Sequence, residues 1–151
     1  MAHVLETGFE ILNRENPNGS PTVMGYNIIN GELRPASDGE TFESRNPAWL
    51  DDCLGVFPLS TKEDVHDALI AAREAFSQWS QTPAPTRGQI IGNMGRLLME
   101  HKDDIVRVES REIGKTLKES AGEVQEAIDT CLFFQSEGRR LYGQTVNSEL
   151  P

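Results

Sequence analysis

Apolar residues alternate with polar ones in short runs through the early part of the chain, then recur at three- and four-residue spacing. The later pattern predicts helices. Val65, Ala68, Leu69, Ala72, Phe76 and Trp79 share one helical face, with Lys62, Asp67, Arg73 and Glu74 mainly elsewhere. Ser60 and Glu63 have capping-box spacing at the start of this helix, and the acidic first turn suits its positive end. An ordinary core contact is the default reading of such a stripe, its aromatic end included. Gln81-Thr-Pro-Ala-Pro85 is a stiff linker. A second helix then runs from Arg87 to about Val108, with Thr86 and Gln89 placed to cap it and Ile90, Met94, Leu97, Leu98, Ile105 and Val108 on its apolar face. Lys102-Asp103-Asp104 marks a point of kink or restart.

The third helix runs from Thr116 to about Tyr142, and Gly143 stops it. Gly114 suits the end of the preceding helix, because positive φ is cheap there. Thr116 and Glu119 form a capping box. Leu117, Ala121, Val124, Ile128, Cys131 and Leu132 lie on one face, and Phe133 and Phe134 widen it, which predicts burial on more than one side. Arg139 and Arg140 fall in the last turn, where cations suit the negative end of the dipole.

Upstream of the helices the period is two. Tyr26-Asn-Ile-Ile-Asn-Gly-Glu-Leu-Arg34 reads as a hairpin, because Asn30-Gly31 is the favoured pair for a type I′ turn. Asp38-Gly39 marks another turn, Thr41–Arg45 a strand, and Leu54–Leu59 a partner strand ending near Pro58. Together these predict a small antiparallel sheet. Residues 1–24 show no hydrophobic period and contain the turn-forming Asn16-Pro-Asn-Gly-Ser-Pro21, so they read as an irregular leader.

Composition narrows the function classes. At 151 residues the chain is the size of one domain. Its 24 acidic residues outnumber 14 basic ones, for a net charge of -10. A field of that sign repels nucleic acid and anionic membrane surfaces. No apolar run is long enough to span a bilayer, and the start lacks the basic and apolar parts of a signal peptide. A cytoplasmic protein is the expectation. Cys53 and Cys131 lie far apart, in no metal-like spacing, which fits reduced thiols.

Several of these pieces, in this order, resemble one family. Glu112-Ile-Gly-Lys-Thr116, Gly122-Glu-Val-Gln-Glu-Ala-Ile-Asp129 and Gly138-Arg-Arg-Leu-Tyr-Gly143 are similar to the amino-terminal helical region of NAD(P)-dependent aldehyde dehydrogenases. The hairpin at Ile29-Asn30-Gly31-Glu32 and the Asn46-Pro47-Ala48 turn fit as well, so the resemblance covers roughly Tyr26 to Pro151. It implies an α/β fold of which this stretch, itself α+β, is the outer layer of the cofactor-binding domain: a small antiparallel sheet and three main helices. Residues 25–143 would belong to that domain. Residues 144–151 would begin the oligomerisation arm, although Asn147 stands where the family often has proline. The implied function is oxidation of an aldehyde, possibly a semialdehyde, to a carboxylic acid with NAD or NADP, by a homo-oligomer when complete.

That chemistry needs a reactive cysteine, a general base, oxyanion donors and a dinucleotide site. None is evident in the chain. Cys53 follows Asp51 and Asp52, whose charge disfavours a thiolate. Cys131 falls on an apolar helical face, where a thiol acts as a small hydrophobe. His3, His66 and His101 are scattered, and Glu109, Glu112, Glu119 and Glu123 lie on helices, where carboxylates are usually solvated. Gly88, Gly92 and Gly95 lie inside a helical period, so they imply close approach of another backbone and not a phosphate loop, which would follow a strand. A phosphate site at Arg139 and Arg140 is outweighed by helix-end stabilisation or a salt bridge. In some members of the family a monovalent cation is held at positions matching the Ser44 and Arg45 backbone and Glu112. Capping or ion pairing is the simpler role for Glu112, and no catalytic, cofactor or metal residue is assigned.

Two features suggest a piece of a longer enzyme: an extended polar end with no cap or partner, and a third helix whose apolar arc wants more surface than the chain offers. Such a piece alone would be inactive. The alternative is a stand-alone non-catalytic helical module that binds a partner protein.

Overall fold

The computed structural model describes residues 9–12, 16, 19, 22–140, 142 and 143. Among the described residues, six strands precede four helices. Strands β1 (Phe9–Leu12), β2 (Thr22–Gly25), β5 (Thr41–Arg45) and β6 (Cys53–Pro58) form one sheet in the order β1-β2-β6-β5. Strands β3 (Asn27–Ile29) and β4 (Glu32–Arg34) form a separate hairpin.

This corrects the sheet expected from the sequence. The ladder is mixed, because β2 runs parallel to β6, pairing Val23 with Gly55 and Met24 with Val56, whereas β1–β2 and β5–β6 are antiparallel. It also departs from the irregular leader expected for residues 1–24, which hold β1 and all of β2 but Gly25. The reason is visible in β2. Its two buried positions are Thr22 and Gly25, a hydroxyl and a residue without a side chain, so burial leaves no apolar alternation to read. Gly25 and Gly55 make room for the Phe57 ring: a Cβ on either would lie under 3.0 Å from it. Phe57 in turn packs against Phe42 at a centroid distance of 5.9 Å.

The hairpin turn is as read. Asn30 and Gly31 adopt φ of 53° and 77°, the left-handed pair that a type I′ turn requires. The β5 strand also has the expected limits, with a register shift between Ser44 and Arg45 just before the Asn46-Pro47 turn.

Helix α1 (Lys62–Gln81) is capped by Thr61 with Asp64, one residue later than the Ser60–Glu63 pair. A long-range bond selects this register. The Asp64 carboxylate accepts from Thr61 N at 2.7 Å and also from Ser37 N at 3.0 Å, so it ties the helix start to the loop after β4. Ser60 instead donates its hydroxyl to Asn27 Oδ1 at 3.0 Å.

The predicted second helix is two helices. Helix α2 (Ala84–Glu100) starts ahead of Thr86, with Pro83 as N-cap and Pro85 in the first turn, where a missing N–H costs little. Thr86 therefore caps nothing. Its own N–H and that of Arg87 bond to Pro83 O. His101, at φ -102° and ψ 16°, ends α2 and precedes α3 (Lys102–Ile113), whose first turn carries Asp103 and Asp104. Gly114 closes α3 at φ 74°, and the Thr116–Glu119 capping box opens α4 (Leu117–Glu137), both as expected.

Helix α4 ends before Gly138, short of the expected Tyr142, so Arg139 and Arg140 lie beyond it. The stop coincides with a close crossing: a Cβ on Gly138 would lie 2.2 Å from Ala84 O. Gly88, Gly92 and Gly95 of α2 seat that helix against Gln135, Cys131 and Ile128 of α4, the close approach expected for them. The core beneath joins Val106, Val124 and Ile128, with Leu98, Ile105 and Ala121 packed against it. Two expectations of burial fail. Phe133 and Phe134 are 59% and 52% exposed, so α4 is buried on one side only among the described residues. The α1 stripe is bare as well, with Leu69 63% and Phe76 65% exposed.

Candidate functional site

The densest polar arrangement lies where the β5–β6 connection meets the α3–α4 corner. Asn46 opens the connection by accepting from Ala48 N at 2.9 Å through its side chain, a local turn that frees Pro47 from any need for an N–H. Its amide also donates to Asp52 Oδ2 at 3.2 Å. Asp52 is fully buried and receives Arg111 of α3 in two bonds, from Nε at 3.0 Å and from Nη2 at 2.7 Å. A fork of this kind fixes orientation as well as distance. It locks the sheet to the helical layer across 59 residues of chain.

The corner itself is held by Lys115. Its ammonium donates to Glu109 at 2.7 Å and also pairs with Glu123. Bonds to Glu109 and then Glu123 raise the Lys115 pKa above the ordinary lysine value. Lys115 correspondingly holds Glu123 below the usual carboxylate range. Glu119 is lowered too, chiefly by the Thr116 hydroxyl and then by the Thr116 N–H. Gly114 turns beneath this cluster, close enough to Pro47 that a Cβ would lie 2.8 Å from the proline ring. The whole junction is therefore an anchor. Asp52 is matched by Arg111, and Lys115 by Glu109 and Glu123.

The residues weighed for chemistry do not converge. Cys53 is buried at the start of β6, where its N–H and C=O bond to the Asn16 side chain. Cys131 is buried in the α2–α4 seam, as its apolar position implied. His66 lies on α1, His101 separates α2 from α3, and His3 lies outside the described residues. Glu109, Glu119 and Glu123 take the pairing and capping roles just given. Glu112 is exposed on α3, which packs beside β5, the strand that ends in Ser44 and Arg45. Among the described residues no cluster of three metal-binding side chains forms. Arg140 pairs with Glu137 at 2.5 Å and lies over the Phe133 ring, a salt bridge in the place where a phosphate site was considered. The glycines of α2 are filled by α4, so they do not fit a dinucleotide phosphate.

Sequence reading missed the Asp52–Arg111 lock and the Asn16 clamp. Asn16 donates to both Thr22 Oγ1 at 2.9 Å and Cys53 O at 2.8 Å and so joins β2 to β6. Neither has a local signal, because each partner lies far away in the chain. The one available clue is Asp52 itself, a charge set directly before an apolar strand.

Comparison with known proteins places this arrangement. A model of the aldehyde dehydrogenase family matches residues 34–151. The chain is 38% identical over 125 residues to an alpha-ketoglutarate semialdehyde dehydrogenase of Haloferax volcanii, covering 83% of this chain and 26% of the relative. It is 38% identical over 119 residues to the NADP(+) succinate-semialdehyde dehydrogenase GabD of Escherichia coli, covering 79% and 24%. Among solved structures, betaine aldehyde dehydrogenase of Staphylococcus aureus in complex with NAD+ matches with a TM-score of 0.77 at 29% identity, covering 83% of this chain and 25% of that one. The chain spans about a quarter of the length of these relatives.

Proposed function

The chain belongs to the aldehyde dehydrogenase family, and on that premise we propose that it serves as scaffold in an NAD(P)-dependent enzyme that oxidises an aldehyde to a carboxylic acid. Residues 25–143 form the amino-terminal outer layer of the cofactor-binding domain, with β1 and β2 extending its sheet. Residues 144–151, which lie outside the described residues, begin the arm of a homo-oligomer. The substrate is a semialdehyde. The names of the relatives support this, since they include alpha-ketoglutarate, succinate and malonate semialdehyde dehydrogenases. Both nicotinamide cofactors are represented, NADP(+) in a relative's name and NAD+ in a solved neighbour. A cytoplasmic setting accords with the acidic surface, and no described helix is long and apolar enough to cross a membrane.

The observation that carries the reading is the family match over residues 34–151, which embraces the turn, the lock and the capped corner in order. In this reading the described residues hold position. Their anchor residues are paired among themselves, and the α2 glycines hold a helix where a cofactor would need open backbone N–H groups. The exposed faces of α1 and α4 are where the remainder of the domain sits.

The test is a pair of assays. The natural gene product is given a semialdehyde with NAD+ or NADP+, and reduced cofactor is followed. Turnover with at least one cofactor is expected, and none with the 151-residue chain alone. Failure of the gene product on every aldehyde tried contradicts the activity. Turnover by the short chain contradicts the scaffold role.

A further inference from the structure

We draw no further inference here: the strongest candidate, the apolar groove between the end of α1, α2 and α4 lined by Trp79, Ile91, Met94 and Phe134, carries nothing because nothing in the structure shows what covers it.

Discussion

Helices α1 and α4 are written in the same code and meet different fates. Each carries an apolar stripe at helical spacing, and each begins with a full capping box. Helix α4 finds α2 and α3. Gly88, Gly92 and Gly95 let α2 approach it, and Ile128 disappears from solvent entirely. Helix α1 meets β3, Arg34 of β4 and the loop after it, and its Val65, Leu69, Phe76 and Trp79 remain exposed among the described residues. The difference lies in the partner and not in the helix. A hydrophobic period states that a face is to be buried, and says nothing of what buries it. In α1 the period marks a face that the described residues leave open.

The largest effects should come from testing that contrast directly. Ile128→Ala deletes a fully buried side chain and should cost about 2–5 kcal/mol in a urea melt of the gene product. Phe76→Ala is the sharper half of the pair. If the α1 face is covered in the gene product, truncation there costs about 3 kcal/mol or more. If the face stays as exposed as it is here, the cost stays within about 0.5 kcal/mol.

The anchor comes next. Arg111→Met leaves the Asp52 carboxylate buried without its guanidinium, which should cost about 3 kcal/mol in the same melt. Asn46 keeps one bond to that carboxylate and does not replace the charge.

Glycine replacements grade the seam itself. Gly88→Ala sets a methyl 2.4 Å from the Gln135 carbonyl oxygen, which is backbone and cannot turn aside, so a loss of about 1–3 kcal/mol is expected. One turn on, Gly92→Ala meets only the Gln135 side chain, which can swing away, and the loss should be smaller. Gly122→Ala, on a face of α4 where no described atom lies within 4 Å, should lose less than Gly88→Ala. Equal losses at Gly88 and Gly122 would deny that α2 and α4 touch as described.

The smallest effect is a pH dependence at the start of α1. The Thr61 N–H, more than any other group, holds the Asp64 carboxyl below its ordinary value, and the Ser37 N–H adds to this. A folded-state pKa below the unfolded one means that Asp64 contributes stability above the unfolded value of about 4. That contribution is lost as pH falls through the folded value. Asp64→Asn should therefore flatten the acid side of a stability–pH profile and leave its neutral-to-basic side unchanged in shape.

The sequence disclosed local geometry well. Asn30-Gly31, Gly114 and the Thr116–Glu119 box are each determined within a few residues, and each is found where it was read. Close approach at Gly88, Gly92 and Gly95 was legible too, because three glycines inside a helical period need a reason. What failed depends on distant partners. The cap of α1 moved to Thr61 because Ser37 supplies a second donor to Asp64. Strand β2 went unseen because its buried positions are Thr22 and Gly25. The single helix from Arg87 split at His101, although Lys102-Asp103-Asp104 marked the place. At the candidate site the Thr116–Glu119 box was legible, being local. Its anchor, Asp52 with Arg111, was not, since the partners lie 59 residues apart and the one hint is Asp52, a charge set before an apolar strand.

The proposed scaffold role requires the bare face of α1 to lie in an interface with the rest of a larger enzyme. Hydrogen exchange of α1 in the natural gene product tests this most directly. Slow exchange across Lys62–Gln81, comparable to that of the α2–α4 seam, is the predicted result. Fast exchange of α1 beside a slowly exchanging seam would contradict it.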